Sequence, residues 1–206
     1  MKRNVRVASL VLVLMGVSSA AVAVPSAGAS EVIYFTAAVK AQTTLATLNQ
    51  TVVVPPGTFK GTIRSGSSNV GHVKGNLKLP PATTTMSLAG IGLATVTVQM
   101  VATKPTVGTL NPTNFAITAT STFNIDVTSV KPLSLPVNVV GKRCATSTPV
   151  RLTFSGTISP LSGGTASGTY TIPSFAHCGA ATVALDTVVS GPGNTFSAKL
   201  IPTGFS

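Results

Sequence analysis

Beyond the first thirty residues, few side chains can carry acid–base, nucleophilic or metal chemistry. They are Glu31, Asp126, Asp186, His72, His177, Cys144 and Cys178. Two-carboxylate hydrolysis needs a pair of acids at one site, with environments that push their pKa values apart. These three acids are widely spaced, and only Asp126 and Asp186 are left to form such a pair. A serine triad needs a histidine and an orienting acid. No Gly-x-Ser-x-Gly elbow is present, and neither histidine has an acid nearby in the chain. Two histidines 105 positions apart and two cysteines make no recognisable zinc pattern. Gly90-Ile91-Gly92 and Gly191-Pro192-Gly193 lack the rest of a dinucleotide fingerprint and the strand–helix unit that must surround it. The chain is therefore read as a non-enzyme, with no catalytic residue, cofactor or metal assigned.

The cysteines take their meaning from the N-terminus. Lys2, Arg3 and Arg6 precede an apolar run from Val7 to Val24, and Ala27-Gly28-Ala29 supplies the small-x-small pattern that signal peptidase reads. Residues 1–29 are read as a signal peptide cleaved before Ser30. The product is expected to be secreted, extracellular or cell-envelope-associated, and not an integral membrane protein after cleavage. No cysteine ends the apolar run, so no lipid anchor is expected. Outside the reducing cytosol, two cysteines default to one disulfide. Cys144–Cys178 would close a loop of 34 residue steps, worth roughly 3–4 kcal/mol in the chain-entropy account. A nucleophilic Cys178 activated by His177 fits poorly, because strand neighbours point to opposite faces.

The charges that remain are mostly positive. From Ser30 onward, eleven Lys and Arg face three acids, a net charge of +8. Two adjacent segments concentrate them. In the first, Phe59, Gly61 and Ile63 alternate with Lys60, Thr62 and Arg64; in the second, Val73, Gly75, Leu77 and Leu79 alternate with His72, Lys74, Asn76 and Lys78. A hairpin through Ser65–Asn69 puts the apolar set inward and gathers Lys60, Arg64, Lys74 and Lys78, with His72, on one outer face. Such a face suits an anionic cell-wall polymer or phospholipid headgroups. Nucleic acid is not expected as a partner, since the protein is exported and no aromatic residue alternates with these cations. The competing reading is that these charges only confer solubility and guard exposed strands against pairing.

The elements that must position this face are strands. The apolar period is two nearly everywhere, and Thr, Val and Ser suit a pleated, half-buried surface. Strands are expected near 32–39, 51–54, 58–64, 70–79, 83–88, 93–102, 114–127, 135–140, 150–158, 166–172, 182–189 and 194–201. Turns are expected at Pro55-Pro56-Gly57, Ser65–Ser68, Pro80-Pro81, Asn111-Pro112, Ser162–Gly164 and Gly191–Asn194. The Thr content of Ala37–Leu48 argues against a helix there, and Ala180–Leu185 could form one helical turn. The fold class is all-β, an antiparallel β-sandwich or flattened barrel with one disulfide.

An internal repeat divides the chain. Thr58-Phe59-Lys60-Gly61-Thr62-Ile63 recurs as Thr153-Phe154-Ser155-Gly156-Thr157-Ile158, and Gly75–Pro80 is answered by Gly168–Pro173. Gly90-Ile91-Gly92 is answered by Gly191-Pro192-Gly193. The reading is one domain, 30–206, made of two sequence-related halves, about 30–106 and 107–206. The second copy keeps the inward set (Phe154, Ile158, Tyr170, Ile172), but its outer positions are Ser and Thr, without charge.

Leu79–Thr85, Gly90–Thr95, Gly168–Pro173 with Cys178-Gly179, and Gly191–Phe196 together resemble a group of secreted, functionally uncharacterised actinobacterial β proteins. That resemblance implies export and an all-β fold, and transfers no catalytic residue. The first functional reading is therefore a non-enzymatic binding or structural module of the cell envelope. The alternative is an extracytoplasmic carrier of a lipid or other apolar small molecule, with Met86, Met100 and Phe123 lining its cavity.

Overall fold

The computed structural model describes residues 32–66, 70–135 and 137–205. The expected signal segment and cleavage site, Glu31 and the tip of the turn expected at Ser65–Asn69 lie outside the described residues. The elements run β1 (Val32–Leu45), β2 (Gln50–Ser65), β3 (Gly71–Lys78), β4 (Ala82–Leu88), β5 (Gly92–Leu110), β6 (Ala116–Pro132), β7 (Ala145–Thr146), β8 (Val150–Ser159), β9 (Gly163–Ile172), β10 (Phe175–Ala176), α1 (Thr182–Val188) and β11 (Gly191–Phe205).

Every pairing is antiparallel, and β5–β6 contact closes the sheet on itself. The barrel order is β1-β2-β3-β5-β6-β8-β9-β11, eight strands with β11 back beside β1. Of the two architectures expected from the sequence, the chain takes the barrel. Closure leaves no free sheet edge around this ring.

The three remaining strands prolong barrel strands across prolines. β3 and β4 both pair with β5, at Gly75↔Thr106 and Ala82↔Val98, with Leu79-Pro80-Pro81 between them. β7 and β8 both pair with β6, at Ala145↔Asp126 and Val150↔Phe123, with Pro149 in the gap. β10 continues β9 beyond Pro173 and pairs with β7. Proline has no N–H to give the ladder, so the ladder breaks there. Across one break the Ser147 N–H donates to the Ser174 carbonyl at 2.8 Å, and the two hydroxyls meet at 3.0 Å. With the interrupted strands counted as one each, the fold is an up-and-down barrel in chain order.

Several local expectations change. Pro55-Pro56-Gly57 is not a turn; it lies inside β2 at a register shift against Val39–Ala41. Gly191–Asn194 opens β11, where Gly191 and Gly193 take φ of 135° and 81° and the pairing with β9 shifts register. The run at 182–189 is helical: Ala184, Leu185 and Val189 are buried while Val183 and Thr187 face out. Burial at helical spacing here overrides the β-branched composition. The described part of 135–140 is a connection; the Asn138 side chain accepts from the Val130 and Val140 N–H groups.

Call the upper end the one with the β1–β2 and β4–β5 turns. There the two long connections, 133–144 and 177–190, are joined by the Cys144–Cys178 disulfide. Helix α1 covers this end with Leu185 buried, and Asp186 accepts from the Phe175 N–H at 2.6 Å. The Asn194 side chain, buried, accepts from Ala46 N–H and donates to the Gly191 carbonyl, stitching the β1–β2 turn to the β11 bulge.

The barrel interior is filled by side chains. Phe35 stacks near Phe59 with ring centroids 5.3 Å apart, and Phe123 meets Tyr170 edge-on at 6.4 Å. Gly61 and Gly75 face each other across β2 and β3, and the Phe59 ring occupies the space that Cβ atoms there would need. The Thr43 hydroxyl donates to the Thr195 carbonyl, so at the 2.6 Å contact the Tyr170 hydroxyl is the donor to Thr43. Burial holds the Tyr170 phenol above its ordinary pKa, although its bond to Thr43 pulls the other way. Apolar voids of about 50 and 40 Å³ remain in the lower and upper barrel, and one of about 20 Å³ in the middle is lined partly by Thr106 and Ser121. No helix among the described residues is long and apolar enough to cross a membrane.

Candidate functional site

Alternation along a strand fixes which side chains leave the barrel. In β2 the inward residues are Phe59, Gly61 and Ile63, which leaves Lys60, Thr62 and Arg64 outside. In β3 Val73, Gly75 and Leu77 point in, which leaves His72, Lys74, Asn76 and Lys78 outside. The hairpin register sets Arg64 opposite His72, Thr62 opposite Lys74, Lys60 opposite Asn76 and Thr58 opposite Lys78. Lys60, Arg64, His72, Lys74 and Lys78 are all exposed on this one outer face. Arg64, Lys74, Lys60 and Lys78 are diagonal neighbours in turn, alternating between strands, roughly 7–8 Å apart at Cα.

Barrel closure extends the face beyond the hairpin. β1 sets Tyr34 beside Thr62 and Thr36 beside Lys60. On its other side, β1 sets Lys40 directly opposite Lys199 of β11. Like charges facing each other across a ladder are unfavourable. With Lys104 of β5, the strands β11, β1, β2, β3 and β5 carry seven of the eleven cations that follow Ser30, and no acid.

Two shallow grooves lie along β1 on this surface. One, about 560 Å³, has a floor of Thr36, Gly61, Gly75 and Gly204 and is flanked by Lys60, Lys74, Tyr34 and Phe205. Tyr34 is 54% exposed and Phe205 44% exposed. The other, about 350 Å³, has Lys40 and Lys199 with Gln42, Ser197 and Thr165. Sequence reasoning found the hairpin cations and missed Lys40, Lys199 and the two aromatic neighbours. Alternation gives each an outward or end position, but only the meeting of the first and last barrel strands brings them to this face.

The other reactive groups go elsewhere. Cys178 is fully buried in its disulfide, and His177 is exposed at φ 61° in the connection before α1. Asp186 is engaged with Phe175 N–H, and Asp126 lies on β6, where burial raises its carboxyl pKa. Among the described residues, no three His, Cys, Asp or Glu side chains come together. Met86 and Met100 line the upper void, and Met100 and Phe123 the middle one. No protein-family model, curated protein or solved structure matches the chain.

Proposed function

We propose that this is an exported, non-enzymatic module of the cell envelope that holds anionic wall polymer or phospholipid headgroups against its basic barrel face. The observation that carries the reading is the charge asymmetry: seven cations and no acid on five adjacent strands, against Arg151 alone among Ser and Thr on the outer face of β8 and β9. A field of one sign concentrates oppositely charged partners and is screened by salt. The disulfide is compatible with an oxidising compartment outside the cytosol.

The test is retention of the Ser30–Ser206 protein on isolated cell walls and on phosphatidylglycerol vesicles across ionic strength. Retention should fall as salt shortens the Debye length from about 10 Å at 0.1 M to about 3 Å at 1 M. Replacing Lys60, Arg64, Lys74 and Lys78 by serine should release the protein. The same charge change at Lys131, Lys142, Arg143 and Arg151 should not. Salt-independent retention, or equal release by both variants, overturns the reading.

The carrier alternative has the apolar lower void in its favour. That void measures about 50 Å³. It has room for a water or two, not for a lipid, so the surface reading is preferred.

The two-halves reading also stands as our proposal. The barrel divides into β1-β2-β3/β4-β5 and β6-β7/β8-β9/β10-β11, which sets the repeated hairpins four positions apart in the ring. In each half a proline disturbs the strand just before Thr-Phe-x-Gly-Thr-Ile: Pro55-Pro56 in one, Pro149 in the other. The hairpins differ in register by two residues, Phe59 facing Leu77 and Phe154 facing Gly168, which keeps the same face inward.

A further inference from the structure

The basic face has a regular pitch. Outer residues of neighbouring strands fall into rows two residues apart, about 6.8 Å along the strand. The row of Val32 holds Arg64 and His72, that of Tyr34 holds Lys74, and that of Thr36 holds Lys60. The row of Ala38 holds Lys78, and the next holds the facing pair Lys40 and Lys199. Five successive rows thus carry at least one cation each and no acid. All of these residues stem from β11, β1, β2 or β3, within about one and a half strand spacings, roughly 7 Å, of the line between β1 and β2. Lysine and arginine side chains reach that far.

We propose that this face is a track for a linear polyanion that lies along β1 and β2 and offers about one charge per row, namely an extended chain of phosphodiester-linked polyol units. The inference rests on the electrostatic reading above and narrows its ligand. A phosphate–three-carbon polyol repeat has six backbone bonds, and extended single-bonded chains advance about 1.2 Å per bond, so its charges recur at roughly 7 Å. That matches the row spacing. A layer of lipid headgroups presents charge over a plane, whereas these basic residues come one or two to a row, within four neighbouring strands. The floor of the band is small, with Thr36, Ala38 and Gly204, so a chain can lie close to the backbone. The facing lysines at Lys40 and Lys199 repel each other until an anion sits between them.

The experiment titrates the Ser30–Ser206 protein with synthetic glycerol-phosphate oligomers of increasing length, with polygalacturonate, and with phosphatidylglycerol vesicles. Affinity should climb with oligomer length and level off once the band is covered, near five phosphates. With about five phosphates held, the log–log salt slope should be about −3.5, at about −0.7 per phosphate on a single chain. Lys60→Ser with Lys74→Ser should make that slope shallower by about 1.4, while Lys131→Ser with Arg151→Ser leaves it unchanged. Equal affinity per charge for polygalacturonate or vesicles, or an equal loss of slope from the off-band pair, overturns the track and leaves the general electrostatic reading in place. Failure to bind any of the three anions overturns both.

Discussion

Lys40 and Lys199 face each other across β1 and β11 with nothing acidic on either strand. Lys199→Glu turns that repulsion into attraction. For side-chain charges about 7 Å apart in water, each interaction is about 0.6 kcal/mol, so the swing is about 1.2 kcal/mol before screening. With a Debye length of about 8 Å at 0.15 M, about 0.5 kcal/mol survives. A domain of this size shifts Tm by about 2–4 °C per kcal/mol. The variant should therefore melt about 1–2 °C higher at 0.15 M, and roughly twice that at low salt. The same exchange puts a negative charge in the cationic band, so retention on anionic walls should fall. Stability and binding thus move in opposite directions, as expected where a site is kept at some cost to the fold. Lys199→Gln should fall between the two on both counts. Thermal unfolding at low and high salt, with wall retention of the same samples, checks this. An unchanged or lower Tm at low salt, or a gain that does not shrink with salt, would refute the cross-strand repulsion.

Cys144→Ala with Cys178→Ala should cost about 3.8 kcal/mol, from the loop of 34 residue steps, read as a lower urea midpoint with a somewhat steeper slope, because the unfolded chain expands. A loss below about 1 kcal/mol would refute the loop-closure account of the staple. Gly75→Ala should destabilise by about 1–3 kcal/mol, because its methyl meets the Phe59 ring. Adding Phe59→Leu should not restore stability, since the Lys60 carbonyl at 2.7 Å and Gly61 Cα at 2.8 Å also stand in the way; full rescue would place the whole conflict in the ring. Burial raises the Asp126 carboxyl above 3.8, so the folded chain holds that proton more tightly than the unfolded one. This contribution is full below the unfolded pKa and is lost as pH rises through the raised one, so Asp126→Asn should flatten the fall in urea midpoint on that acid side.

Alternation made much of the fold legible. The inward set Phe59, Ile63, Val73 and Leu77 and the outward set Lys60, Arg64, Lys74 and Lys78 follow from a period of two and one hairpin register. The disulfide followed from compartment and count. What misled was proline and glycine. Pro55-Pro56-Gly57 and Gly191-Pro192-Gly193 have the chemistry of turns, yet both sit within strands as register shifts. Local propensity says that the ladder is disturbed at such residues, not whether the chain reverses there. Long partners on the neighbouring strands carry the ladder past the disturbance, and no local pattern reports that. At 182–189 the expected strand failed while the helical turn expected at Ala180–Leu185 is present and runs on to Val188: valine and threonine favour a strand, but Leu185 and Val189 find burial over the end of the barrel at helical spacing.

The same limit governed the site. A hairpin joins residues close in sequence, so the Lys60–Lys78 part of the face could be read directly. Lys40 and Lys199 are joined only because the barrel closes, and closure is a property of the whole ring that no segment encodes. Their meeting also changes what the hairpin cations mean. Four cations on one hairpin are fully accounted for by solubility. A facing lysine pair is not, because it adds repulsion where one lysine alone would keep the surface charged. The exposed Tyr34 and the small residues Thr36 and Gly204 lie between that pair and the hairpin, so the cations border a continuous path rather than scatter over the surface. Helix α1 and the disulfide lie at the upper end, where they close the barrel without adding charge to this path. On the proposed reading, the stapled end supplies rigidity and the uncovered basic wall supplies the contact with the ligand.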